Sequence, residues 1–263
     1  MKKIALSIII VSYNTKNLTL QCIKSIKRNP PKIRYEIIVV DNNSHDGSAE
    51  SLKKLKNIIF ISNEDNLGFA KANNIGIEKS HGKNIFLLNS DAVVTKDAIQ
   101  KLYKFAVNTV GAGVVGAKLL NPDKSIQSSV FPKQSLLNAF RAYWLGQKKT
   151  FEKYAPSETQ PVKVNSVVGA AIFITDRALK KVGKLNEKYF MYFEDLDYCR
   201  KVRQKGLDVY YLPESVIIHR HGASGQANKI QFNRLVKASK IYHGLLRHYL
   251  LNLIIWTGQK LHR

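Results

Sequence analysis

Cysteine is nearly absent: Cys22 and Cys199 are the only two in 263 residues. Two such residues build no disulfide framework and have no metal-ligand spacing, which points to a reducing, cytoplasmic compartment. Long apolar runs are missing too. Ile8–Val11 and Leu253–Trp256 are far too short to span a bilayer. No glycine-rich phosphate loop follows any apolar run, so neither the P-loop nor the dinucleotide fingerprint is present. There is no G-x-S-x-G elbow and no Cys/His cluster suited to zinc. Acid is scarce beside base: 19 Asp+Glu stand against 42 Lys+Arg, a formal charge of +23. Solubility accounts for part of such an excess. The rest favours polyanionic partners, meaning nucleic acid, anionic lipid headgroups or phosphorylated substrates.

What remains is an ordinary globular composition, 44% hydrophobic and 23% charged, long enough for one large domain or a domain with an appendage. Met1-Lys2-Lys3 before Ile4–Val11 imitates a secretory signal, yet no small-residue cleavage pattern follows. The run ends in Ser12-Tyr13-Asn14 and reads as the first strand of a buried sheet. From there strands and helices alternate. Strands are predicted at Ile4–Ser12, Ile37–Val40, Ile58–Ile61, Ile85–Leu88 and Val114–Ala117. Helices are predicted at Leu18–Arg28, Ser48–Leu55, Phe69–Glu78 and Asp97–Val107. Apolar strands between amphipathic helices imply an α/β fold with a mostly parallel sheet covered on both faces. Ligands of such sheets bind beyond the strands' carboxyl ends.

Residues 127–161 break the rhythm, mixing Phe, Tyr, Trp and Pro with lysines, and read equally as an acceptor-binding loop or a covering segment. Regular structure returns at Ser166–Thr175, in a helix over Arg177–Val182, and in a helix starting near Glu194. Strands at Val209–Leu212 and Val216–Ile218 follow.

The polar clusters fall where strands end. Asp41–Ser48 is turn-and-cap chemistry, with Asp41 placed to accept hydrogen bonds from a base or ribose. Asn89 and Asp91, flanking Ser90, could both reach a divalent cation or simply form an Asx turn; oxygen ligands suit Mg²⁺ or Mn²⁺. Glu194, Asp195 and Asp197 open a helix whose terminus favours the ionised carboxylate, the form of a general base. His219-Arg220-His221 closes the last strand, and imidazole can complete an oxygen-rich metal site.

Taken in order, Val11–Asn14, Asp41–Ser48, Asn66–Ala70 with Asn74–Gly76, Leu87–Asp91, Gly169-Ala170, Tyr189–Arg200 and His219–Ser224 resemble family 2 of the nucleotide-sugar glycosyltransferases, GT-A in fold, particularly a rhamnosyltransferase-like branch. The resemblance implies inverting transfer from a nucleotide-sugar donor to a saccharide acceptor. It assigns Asp195 as catalytic base, Asp91 and His219 (or the nearby His221) as holders of Mg²⁺ or Mn²⁺, and Asp41 as a ligand of the base. Ser12, Tyr13, Asn14, Asn43, Asn66, Gly68, Asn89, Ser90 and Glu194 complete the expected donor site. Asn89 stands where a strict D-x-D motif has its first aspartate.

The resemblance divides the chain into a catalytic domain, residues 1–225, and a basic helical segment, residues 226–263. In that segment Leu245, Leu246, Tyr249, Leu250, Leu253, Ile254 and Trp256 form a broad apolar surface near Arg247 and Lys260. Such helices lie in the plane of an anionic membrane surface, or pack on the domain or on a second copy in a homodimer. A lipid-linked acceptor and a place on the inner face of the cell membrane fit the first reading. A nucleic-acid-binding protein would share the charge, but no RNA or DNA module appears. A catalytically silent nucleotide-sugar-binding relative is the other alternative.

Overall fold

The computed structural model describes residues 3–220 and 228–261. The chain enters through β1 (Leu6–Ser12), α1 (Lys16–Arg28), β2 (Tyr35–Asp41), α2 (Ser48–Lys53), β3 (Ile59–Ser62), α3 (Phe69–Glu78) and β4 (Asn84–Asn89). These are the predicted alternations within a few residues of their ends. The middle holds β5 (Ala92–Val94), α4 (Ala98–Asn108), β6 (Ala112–Leu120), β7 (Ile126–Gln127), β8 (Val130–Phe131), α5 (Leu136–Trp144), β9 (Val162–Lys163), β10 (Ser166–Val167) and β11 (Ala171–Ile174). The last part runs α6 (Asp176–Val182), α7 (Glu194–Gln204), β12 (Asp208–His219), α8 (Asn228–His243) and α9 (Leu245–Leu261).

The central sheet has the order β3-β2-β1-β4-β11-β6-β12-β5. Its first four strands are parallel, and β6 is parallel to β12. Between these halves β11 runs antiparallel to both β4 and β6, so the sheet is mixed. The period-2 pattern of β1 divides the core between two faces. Leu6, Ile8 and Ile10 pack beneath α1 and α4, while Ile9 joins Ile38, Val40 and Ala72 beneath α3.

Two segments differ from expectation. Within the irregular stretch, Leu136–Trp144 is a helix whose start is fixed by Ser135, its hydroxyl accepting from the Asn138 N–H at 3.3 Å. The strands expected at Val209–Leu212 and Val216–Ile218 are one strand, β12, interrupted by a register shift. The C-terminal segment is helical over its described residues. Gly244, at φ 77, breaks it into α8 and α9. His248 joins the two: its Nδ1 lies 2.8 Å from the Ser239 hydroxyl on α8.

Candidate active site

Register places the polar clusters side by side. On the carboxyl edge of the parallel half Ser12 is level with Asp41, and Val11 with Asn89. The loop after β2 is knitted by short side chains. Asp41 is buried and accepts from the Ser44 backbone N–H (3.0 Å) and the Ser44 hydroxyl (2.7 Å). Asn14, left-handed at φ 52, accepts from the His45 N–H at 2.7 Å, while its own N–H reaches Ser44 Oγ at 2.9 Å. Asn43 is left-handed as well, which the small Asx side chain tolerates. The Ser12 hydroxyl is turned inward, 3.1 Å from Thr19 Oγ1.

A cleft opens above this edge. Tyr13, Asn42, Asn89, Ser90 and Asp91 line it from the strand ends, and Asn66 and Gly68 from the next loop. Asn42 was not singled out from the sequence, yet it organises the wall. Its amide donates to Asn66 Oδ1 (2.9 Å), and its Oδ1 accepts from Asn63 Nδ2 (3.0 Å) and the Leu67 N–H (3.1 Å). Gly68 adopts φ 82, ψ 175, and a Cβ there would stand 2.4 Å from the Phe190 carbonyl oxygen. Only glycine fits that backbone and that approach. The opposite wall comes from Met191 and Tyr192, and from Gln231 and Arg234 of α8. Arg234 holds its guanidinium 4.4 Å from the Phe190 ring centroid. Nothing in the local pattern marked these two α8 residues, because they reach the cleft only through the tertiary path of the C-terminal segment.

Asp91 and His219 meet at the cleft floor. His219 Nε2 is 3.2 Å from Asp91 Oδ1, and both residues are buried. The tautomer is set from behind. Gln127 donates through Nε2 to Asn121 Oδ1 (2.8 Å) and to the His219 carbonyl (3.3 Å), which leaves its Oε1 facing His219 Nδ1 at 2.7 Å. Nδ1 is thus engaged by an acceptor, and Nε2 is the ring nitrogen turned toward the Asp91 carboxylate. Asn89 Nδ2 also lies 3.3 Å from Nε2. A carboxylate oxygen and an imidazole nitrogen brought together in this way are donors that suit a hard divalent cation. Among the described residues no group of three His, Cys, Asp or Glu side chains converges. His221, the competing metal-ligand candidate, lies outside the described residues.

The acidic helix start joins the same edge through β11. Asn89 N–H donates to the Ala170 carbonyl at 3.0 Å, and the neighbouring Gly169 N–H donates to Asp195 Oδ2 at 2.8 Å. Asp195 Oδ1 accepts from the Leu196 N–H at 2.8 Å. Tyr192 and Phe193, both left-handed at φ 73 and 65, turn the chain into α7 and aim Glu194 and Asp195 inward. Consecutive non-glycine residues in that region store strain, which persists only where the surroundings hold it. Here the sequence expectation of an ionised, weakly basic Asp195 is corrected. Burial pushes its carboxyl up, against the two backbone hydrogen bonds and the nearby Lys153 that lower it. Glu194 is pushed well above its usual value, by burial first and then by the Asp195 charge, and its buried Oε2 has no hydrogen-bond partner among the described residues. Desolvation outweighs the helix terminus because both groups are buried. Asp197 is tied to Arg200 and Lys201 and belongs to the helix's own scaffold.

The model of "Glycosyl transferase family 2" matches residues 7–158. A hexosyltransferase of low-salt glycan biosynthesis from Haloferax volcanii is 26% identical over 210 residues, covering 78% of this chain and 63% of the relative. The dTDP-rhamnosyl transferase RfbF of Shigella flexneri is 25% identical over 220 residues, covering 81% and 68%. An N-acetylglucosaminyl-diphospho-decaprenol L-rhamnosyltransferase of Mycobacterium tuberculosis is 24% identical, covering 70% and 66%. The chain thus spans about two thirds of these relatives, and 34% of a Bacillus spizizenii poly(ribitol-phosphate) beta-glucosyltransferase. Among solved structures, S. aureus TarS 1–349 with UDP-GlcNAc matches at TM-score 0.61 and 18% identity, over 96% of this chain and 70% of that one. GalNAc-T7 with UDP, GalNAc and Mn²⁺ matches at 0.65 and 15%, over 90% and 47%. Both likenesses carry the GT-A fold. The chain belongs to glycosyl transferase family 2.

Proposed function

We propose that this chain is an inverting glycosyltransferase taking a sugar from a nucleoside-diphosphate donor, dTDP-rhamnose before UDP-sugars, to a hydroxyl of a lipid-linked saccharide in cell-surface polysaccharide synthesis. The observation that carries it is the pairing of Asp91 with His219 on the sheet edge to which Asp195 is hydrogen-bonded through Gly169. The dTDP-rhamnosyl and diphospho-decaprenol relatives support the donor and acceptor classes.

Each residue then has a task. Asp41 is assigned to the nucleoside, with Asn14 bracing the loop that carries it and Tyr13, Asn42 and Asn66 lining the cleft wall. Ser12 and Asn43 hold the two turns. Arg234 supplies positive charge from α8 to the donor phosphates, a bidentate task suited to guanidinium. Asp91 and His219 would hold Mg²⁺ or Mn²⁺, an ion that supplies Lewis-acid stabilisation of the departing diphosphate, with Asn89 and Ser90 beside it. The acceptor oxygen attacks the anomeric carbon as the bond to the diphosphate breaks and its electron pair leaves with the nucleotide. The hydroxyl proton passes to Asp195, whose burial makes it a stronger base than an exposed aspartate. Glu194, held up by the same burial, favours its protonated form and leaves Asp195 as the acceptor of that proton.

The proposed setting is the inner membrane face, a reading supported by the diphospho-decaprenol relative; no described helix is long and apolar enough to cross a membrane. A panel of nucleotide sugars scored by thermal shift with Mn²⁺ tests the donor reading. A bound donor raises the melting temperature by mass action, and the dTDP-sugars should raise it most. A panel with no stabilising nucleotide sugar would contradict the reading.

A further inference from the structure

The helix α9 is apolar on two opposite sides. One side is packed: His248, Leu251 and Gly258 are buried, and a Cβ on Gly258 would stand 2.7 Å from the Tyr143 carbonyl oxygen of α5. The other side carries Leu246, Tyr249, Leu250, Leu253 and Trp256, all exposed. A helix that uses one face on its own domain ordinarily turns a polar face to water. Next to it, α5 repeats the pattern. Leu137, Phe140, Trp144 and Leu145 are exposed at the i, i+3, i+7, i+8 spacing of one helix side. The two stripes are joined where Trp144 Nε1 donates to the Ile254 carbonyl at 3.1 Å, with Phe140 stacked on Trp144 at 5.4 Å.

Base outweighs acid around this face, with Glu152 beside Tyr143 of α5. Arg141 is an exposed residue of α5, Lys148 and Lys149 follow that helix, and Arg247 is exposed in the first turn of α9. Lys260 Nζ stands 4.0 Å over the Trp256 ring, and Lys240 Nζ 5.4 Å over Tyr249. After Glu214 the sequence contains no Asp or Glu at all, while eight Lys and Arg follow. Aromatic rings with lysine heads beside them and a basic rim are the chemistry of a headgroup–acyl boundary. A protein-binding face of this charge would need an acidic counterpart, and a second copy of this chain repels it with the same +23.

We propose that α5 and α9 together form a docking face for an anionic lipid bilayer, with the exposed leucines and both tryptophans entering the headgroup region and the lysines and arginines pairing with lipid phosphates. The inference rests on the proposed peripheral setting and deepens it, extending the membrane contact from α9 to α5, a helix within the stretch of irregular sequence. Its purpose follows from the same orientation: α8, continuous with α9 through Gly244, carries Arg234 into the donor cleft.

The chain's two tryptophans, Trp144 and Trp256, both lie on this face, so intrinsic fluorescence reads it without a label. Phosphatidylglycerol vesicles should shift the emission to the blue and carry the protein upward in flotation, whereas pure phosphatidylcholine vesicles should do neither. Each basic residue near an anionic surface strengthens binding by roughly fivefold, so Lys148→Glu with Lys149→Glu should weaken binding more than tenfold, and 0.5 M salt should do the same. Leu137→Glu with Leu253→Glu changes two side chains already in water and should abolish the blue shift. Unmoved emission with anionic vesicles, or full binding by both double variants, would overturn the proposal. So would concentration-dependent self-association abolished by the leucine variant, which would make the face a contact between copies. The assay contains neither donor nor acceptor, so its failure leaves the transferase reading intact, and a failed transfer assay leaves this one intact.

Discussion

His219 Nδ1 is held 2.7 Å from Gln127 Oε1, and this contact decides what the other ring nitrogen offers to Asp91. Gln127 is a positioning residue one step behind the proposed cation. Gln127→Met removes the acceptor, frees the tautomer and should weaken Mn²⁺ affinity by about 10- to 100-fold, the usual cost of losing an outer partner of a metal-bound histidine. Isothermal titration of Mn²⁺ in the presence of nucleoside diphosphate measures it. Unchanged Mn²⁺ affinity would remove Gln127 from the site's design.

Gly68 makes a prediction about shape. Gly68→Ala places a methyl against the Phe190 carbonyl in a backbone region that side chains avoid. The conformation alone costs about 1–3 kcal/mol. The loop must shift, and donor affinity should fall together with the urea midpoint. Equal stability and equal donor binding would mean that the Gly68–Phe190 contact does not shape the cleft.

Arg234 tests the contribution of the C-terminal segment to the donor site. Arg234→Ala should weaken nucleoside diphosphate binding by about tenfold or more, since a hydrogen bond to a charged group contributes about 1.5–3 kcal/mol. Binding of the free nucleoside should be unaffected. An equal loss for nucleoside and diphosphate would place Arg234 away from the phosphates.

The buried acids set a pH dependence with a definite sign. Glu194 and Asp195 have folded-state values raised above their unfolded ones. The folded protein therefore binds more protons, and the stability these groups contribute is complete below the unfolded carboxylate range and lost as pH rises through the raised values. Glu194→Gln should flatten that decline and raise the melting temperature at neutral pH. The acid limb of the rate profile should lie above the ordinary aspartate value, because Asp195 must lose its proton to act. An acid limb at the ordinary value would contradict burial as the dominant influence. Thermal melts and rates from pH 4 to 8 measure both.

Much of the parallel half was legible because its strands are apolar throughout and its helices amphipathic. The antiparallel β11 was not: Ala171–Ile174 is buried on both faces, and burial carries no strand direction. Asp91, His219 and Asn66 lay at strand ends where the pattern placed them. Asn42 went unmarked because its neighbours Asp41 and Asn43 carry the same turn chemistry, and only the hydrogen bonds to Asn63 and Asn66 distinguish it. The helix start alone implies a readily ionised Asp195. Burial of its surroundings, contributed by residues far apart in sequence, reversed the sign.

Asp195 is where the whole account is most exposed. Asp195→Asn preserves size and removes the capacity to take a proton, while its single amide oxygen keeps one of the two hydrogen bonds accepted from the Gly169 and Leu196 N–H groups. The direct measurement is turnover of wild type and Asp195→Asn at equal donor saturation, each donor Kd being determined by titration. Loss of a positioned base should lower turnover by about 100- to 10,000-fold with donor Kd unchanged. Wild-type turnover in the variant would contradict the assignment of Asp195 as the base.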